Sequence, residues 1–199
     1  MNRFPRYSRV TWFLLTMVMA ACSQLPVSAP EQKSDNDGAI PRQVKQDYRE
    51  ALGFMVKGKY DKAEPLLLDL TRSRPDLSGP FANLGIVYAR GGRNAEAEQS
   101  FRQAISINPN DAEVYNHLAV LLRNEGKFAE AQSVYRQGLK VQPDNRHLLL
   151  NLGILYDLYL GAPHEALAQY EAYQKIAGDD KQVNGWIVDL KRQLKGKEE

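Results

Sequence analysis

A single cysteine, Cys22, stands in the 199 residues. That count excludes a disulfide scaffold, a cysteine zinc site and a redox pair. Histidine is almost as scarce, with only His117, His147 and His164. No His-Glu-x-x-His helix, cysteine pair or glycine-rich phosphate loop is present, so zinc-hydrolase and P-loop chemistry have no foothold. Glu113 and His117 lie four apart, a spacing that can bring two metal ligands together on a helix. No second His–acid pair repeats it, so we expect no metal, no cofactor and no catalytic residue. Basic and acidic residues nearly balance, 26 against 24, without a basic block, which argues against nucleic acid. Long apolar runs are absent too. The longest, Val10 to Ala21, has twelve residues, against the roughly 20 that a bilayer-spanning helix needs.

What the chain does have is periodicity. Pro75, Pro109 and Pro143 fall thirty-four residues apart, and Pro41 precedes them at the same interval as a start signal. Shifting Leu84, Gly85 and Tyr88 forward by thirty-four gives Leu118, Ala119 and Leu122, then Leu152, Gly153 and Tyr156. Shifting backward gives Glu50, Ala51 and Phe54. Ala63, Ala97 and Ala131 align likewise, as do Leu67, Phe101 and Tyr135. Ala166, Tyr170 and Tyr173 arrive one residue late, which a one-residue insertion in the turn Leu160-Gly161-Ala162-Pro163 explains.

The stretch Phe81, Leu84-Gly85, Tyr88, Ala97, Phe101, Ala104, Pro109 resembles a tetratricopeptide repeat in both pattern and period. Four units follow, at 44–77, 78–111, 112–145 and 146–180. Apolar spacing of i, i+3, i+4 and i+7 predicts two helices per unit, each with one buried stripe. The small residue beside Leu84, Leu118 and Leu152 lets the partner helix approach. Gly58, Gly92 and Gly126 are placed to close the first helices in a left-handed cap. Asp76, Asn110 and Asp144, directly after the prolines, are expected to cap the next helices. Residues 181–199 supply a capping helix and tail, with Val183, Trp186, Ile187, Leu190 and Leu194 as its apolar face. The expected fold is all-α. The resemblance makes it a right-handed superhelical solenoid of helix-turn-helix repeats.

The first residues are of another kind. Arg3, Arg6 and Arg9 precede the apolar run, and small residues end it, which is the layout of a signal peptide over 1–21. Val18-Met19-Ala20-Ala21-Cys22 resembles the bacterial lipobox, which implies acylation of Cys22. The alternative is an ordinary signal peptide cut after Ala21, leaving a free thiol. Ser23 in place of aspartate implies, by the same resemblance, an outer-membrane lipid anchor facing the periplasm of a Gram-negative bacterium. Removing 1–21 takes away three arginines and no acid, turning a net charge of +2 into −1. Residues 22–43 then form the lipidated cysteine and a tether too polar to fold. About 20 such residues span ~25 Å as a flexible chain.

The first helices of such a solenoid line its concave face. One row there reads Leu52, Ile86, Val120 and Ile154, and could serve either as core or as an apolar binding floor. A second reads Arg49, Asn83, His117 and Asn151. A third reads Tyr48, Ala82, Asn116 and Leu150. Asparagine both donates and accepts, which suits the backbone of an extended peptide, so the polar row Arg49, Asn83, His117 and Asn151, with Asn116 beside it, is expected to bind one next to the aliphatic row. Some family members clamp a partner's C-terminal carboxylate with cations on these helices. Here Ala82, Glu113 and His117 occupy the neighbouring slots, so that clamp is largely absent. The resemblance implies an envelope scaffold with protein or peptide partners. It is shared by pilotin-like and Tad-type pilus lipoproteins and by adaptors for peptidoglycan hydrolases. A carbohydrate-binding or catalytic role is the alternative of a different class.

Overall fold

The computed structural model describes residues 40–196. The signal peptide, Cys22 and nearly all of the tether lie outside the described residues. Among those described there are only helices. They are α1 Arg42–Val56, α2 Tyr60–Ser73, α3 Ser78–Arg90, α4 Asn94–Ile107, α5 Ala112–Asn124, α6 Phe128–Val141, α7 Arg146–Ile154, α8 Pro163–Ala177 and α9 Lys181–Lys195. Consecutive helices pack as antiparallel pairs, and each pair leans on the next through its second helix. One continuous core runs the length of the stack, as a solenoid requires.

The small-residue slots explain the close pairing. A Cβ on Gly85 would fall 2.6 Å from the Phe101 ring, and one on Gly153 would fall 2.5 Å from the Tyr170 ring. Aromatic rings therefore lie directly on the glycine backbone. Ala63, Ala97, Ala131 and Ala166 are completely buried.

Each first helix ends in the same way. The carbonyls of Phe54, Tyr88 and Leu122 accept 2.9 Å bonds from the amides of Lys59, Arg93 and Lys127, five residues on. Gly58, Gly92 and Gly126, at φ 69°, 72° and 76°, make the left-handed turn between. In the fourth pair Tyr156 occupies this carbonyl slot but accepts from Ala162, six residues on. The inserted residue is therefore not in the Leu160–Pro163 turn, as the sequence suggested. It is wound into the helix as a π-helical turn, Leu155–Leu160. π-Helix occurs mostly as such a single turn at an α-helix. The extra residue pushes Leu158, Tyr159 and Leu160 towards solvent, with Leu158 50% exposed.

The caps also fall one residue later than expected. Asp111 Oδ1 accepts from the Glu113 amide at 3.2 Å, and Asn145 Oδ1 from the amides of His147 and Leu148 at 3.0 and 3.1 Å. Asn110 and Asp144 do not cap. Asp76 instead takes the Arg74 guanidinium, with Nε to Oδ1 at 2.8 Å, and Leu77 leaves α3 without a side-chain cap. The prolines set where the second helix stops, and the chain needs one more extended residue before it can turn.

On the edge of the stack, Arg93 Nη1 meets Glu64 at 2.6 Å and Lys127 Nζ meets Glu98 at 2.9 Å. These pairs link neighbouring units at identical repeat slots. They are partly exposed, so each is worth little. At the far end Val183, Ile187 and Leu190 of α9 are buried, and Trp186 packs against Tyr170 with ring centroids 5.3 Å apart. The helix is capped by Asp180, whose Oδ1 accepts from the amides of Gln182 and Val183.

Candidate protein-binding groove

The inner helices α1, α3, α5 and α7 present the rows singled out in the sequence, and the structure treats those rows differently. The polar row is a seam. Asn83 Nδ2 donates to the Tyr48 hydroxyl of the preceding unit at 2.7 Å and to the Gly79 carbonyl at 3.0 Å. The His117 ring stacks on Phe101 of its preceding unit, with centroids 5.8 Å apart. Asn151 Nδ2 donates to Asn116 Oδ1 of its preceding unit at 2.9 Å. Asn83, His117 and Asn116 are only 1%, 4% and 5% exposed. The expectation that they form a row open to a peptide is therefore corrected: they join one unit to the next. Arg49 belongs to the first of the described units and is exposed, while Asn151 is half-buried.

The aliphatic row resolves towards core. Ile86 and Val120 are buried within the central cluster, and Leu52 and Ile154 pack against it half-buried. Burial is greatest in the middle of the array. Ten of the thirteen residues of α3 are buried, as are eleven of the thirteen in α5. A helix buried on all sides is hydrophobic all round, and both helices lack the polar outer face that α1 and α9 keep.

A seam reading makes a different prediction from a groove reading. The Tyr48 hydroxyl is held up in pKa by burial, a shift that the hydrogen bond from Asn83 partly offsets. Asn83→Ala strands that hydroxyl. It should cost about 1–3 kcal/mol in chemical denaturation, the range for a buried polar group left without its partner. A variant that melts like the parent would return Asn83 to the exposed surface.

Charged groups also gather inside the array. Glu113 of α5 accepts from Asn145 Nδ2 at 2.8 Å and lies 3.1 Å from His147 Nδ1 on α7. Burial raises its pKa, but the bonds to His147 and Asn145 outweigh that and hold the carboxyl below its ordinary value. The i,i+4 neighbour His117 is not its hydrogen-bond partner; the residue thirty-four further on is. No group of three metal-capable side chains exists among the described residues. Arg123, in the last turn of α5, was not singled out in the sequence although it is 7% exposed. The signal was available, since the same slot holds Ala89 and Asp157 in the flanking units. On the outer face an open cleft of about 410 Å³ lies between α6 and α8, with Leu139, Leu152 and Tyr156 beneath Arg136 and Glu165.

Two sequence profiles, both described as tetratricopeptide repeat, match residues 48–112 and 88–148. No curated protein sequence matches. Among solved structures, Pseudomonas aeruginosa PilF is similar with a TM-score of 0.69 at 19% identity, over 77% of this chain and 69% of its own. MamA from Desulfovibrio magneticus has a TM-score of 0.68 at 15% identity, over 79% of this chain and 88% of its own. A tetratricopeptide repeat protein from Parabacteroides merdae has a TM-score of 0.68 at 20% identity, over 78% of this chain and 62% of its own. At these identities the likeness is one of fold.

Proposed function

Starting from a chain that is a tetratricopeptide-repeat protein over residues 48–148, we propose that it is a lipid-anchored scaffold that recruits other proteins at the bacterial envelope. The observation that supports this most is the repeat array itself. A stack of rigid units gives a long inner surface, which suits binding of a polypeptide. Attachment comes from Cys22, because the charged, apolar and small residues before it end there. The anchor sits in the outer membrane and the array faces the periplasm, as Ser23 implies. The recruited proteins belong to a pilus or secretion assembly, the setting of the pilotin-like lipoproteins that the sequence resembles.

Mass spectrometry of the protein purified from membranes should show a diacyl or triacyl cysteine as the first residue. Cys22→Ser should release the array into the soluble periplasmic fraction with unchanged helicity. A mature chain that starts at Ser23, or one that keeps residues 1–21, would exclude the anchor. A photo-crosslinker at Arg49 on the inner face should trap envelope proteins, and one at Gln99 on the outer helix α4 should not. The reverse pattern would move the binding surface to the outer face.

A further inference from the structure

The fourth unit exposes apolar side chains where the two units before it do not. Shifted back by thirty-four, Leu158, Tyr159 and Leu160 correspond to Asn124, Glu125 and Gly126, and before them to Arg90, Gly91 and Gly92. The fold therefore asks for nothing apolar at this turn. The π-helical turn nevertheless holds all three, adjacent to one another, in solvent. Tyr159 rests on Phe128 of the preceding pair, with ring centroids 5.0 Å apart. Single π-helical turns are frequent at functional sites.

The edge of the stack that carries this turn also differs in charge from the opposite one. The turns that join first to second helices, residues 57–59, 91–93, 125–127 and 161–162, hold Lys57, Lys59, Arg93 and Lys127 against Glu125 alone. The turns on the opposite edge, 74–77, 108–111, 142–145 and 178–180, hold five aspartates against Arg74. Arg93 and Lys127 are already paired with Glu64 and Glu98, whereas Lys57 and Lys59 are exposed. Beside those two stands Val56, exposed and in the same repeat slot as Leu158. Apolar side chains thus project at both ends of the basic edge.

Apolar tips and cations on one edge, with acids on the other, suit a surface that settles on an anionic bilayer. Leucines and a tyrosine enter the interface, and the cations meet the headgroups. The chain has the reach for it. Pro41 precedes α1 at the acidic edge, and the fifteen residues of α1 separate the two edges by about 22 Å. The twenty residues from Cys22 to Pro41 extend to at most about 70 Å. An array anchored at Cys22 can therefore turn its basic edge to the membrane. We infer that it does so, docking on an anionic bilayer with the Leu158–Leu160 turn seated in the interface and the cations of the same edge facing the headgroups. The inference rests on the lipid-anchored reading above and gives the anchored array an orientation.

The test uses the full lipidated chain in vesicles of phosphatidylethanolamine and phosphatidylglycerol. Acylation removes the thiol of Cys22, the one cysteine of the chain, so a nitroxide attached through Leu158→Cys is the only label. Val188→Cys gives an exposed control on α9. Accessibility is read with oxygen, which concentrates in lipid, and with a nickel chelate, which stays in water. The nickel accessibility at 158 should be at least about fivefold lower than at 188, with oxygen favoured at 158 only. Leu160→Asp in the protein labelled at 158 should bring the two sites within about twofold. Water-like accessibility at both sites, in protein that floats with the vesicles, overturns the inference while the anchor stands. Protein that does not float overturns both. The same protection on vesicles of phosphatidylcholine alone overturns it as well, since the basic edge would then have no part. So does protection at 158 that arises only when envelope proteins are added, which assigns the turn to a protein partner.

Discussion

Leu118→Ala should lower the free energy of unfolding by about 2–5 kcal/mol, the range for truncating a buried leucine. Leu118 is 1% exposed in the middle of α5, the helix with most of its length inside the array. It stands one residue before Ala119, itself fully buried where the partner helix approaches. Neighbours fixed in place on both sides cannot collapse into the space left by the missing carbons, which argues for the upper half of the range. In a solenoid the stability of each unit depends on its interfaces, so the loss should spread. Urea denaturation should show one earlier transition, followed equally by helicity and by Trp186 fluorescence on the capping helix beyond the next pair. A shift under about half a kcal/mol is what a surface substitution gives. That result would mean the thirty-four-residue register is wrong.

The register was legible because it is written in residue sizes, which burial constrains strictly. Leu84, Leu118 and Leu152 are all buried, and the glycines at Gly58, Gly92 and Gly126 all have the positive φ that only their lack of a side chain makes easy. Where sequence reading failed, the deciding contact lay between units. Asn83, His117 and Asn151 recur at one slot, and recurrence alone cannot tell a binding row from a seam. Each partner, Tyr48, Phe101 and Asn116, stands on another helix at a distance that no local spacing reveals. The insertion in the fourth unit failed differently. Turns usually tolerate an extra residue more cheaply than helices do, but here a π-helical turn took it. Arg123 was passed over because a charged residue near a helix C-terminus is ordinarily solvated. Its guanidinium carbon instead lies 5.9 Å from the centroid of the Tyr159 ring, on the π-helical turn of the next unit.

Acid should destabilise this protein well before its carboxylates titrate, and His117 is the reason. Burial lowers its pKa from 6.5 to about 4, and the charges of His147 and Arg90 push the same way, while Glu113 opposes them. The sign follows from which state binds the proton. Between pH 6.5 and about 4 the unfolded chain protonates this histidine and the folded one does not, so unfolding is favoured as pH falls. The stability is fully present above the unfolded value and is lost across that window. At about 1.4 kcal/mol per pH unit the total loss is about 3 kcal/mol. Glu113 adds to it at the acid end. Its carboxyl is held below its ordinary value, so its contribution is present above that value and is lost as pH falls through the folded one. Urea midpoints measured from pH 7.5 down to about 4.5 should therefore fall steeply below about 6.5. His117→Asn places at this slot the residue that the second and fourth units already use, Asn83 and Asn151. It should remove most of the slope between about pH 6.5 and 4.5 while keeping the fold, whatever it costs at neutral pH. A parent protein with level midpoints down to about pH 5, or a variant with the parent's slope, would show that His117 titrates in water and that the seam at the third unit is open.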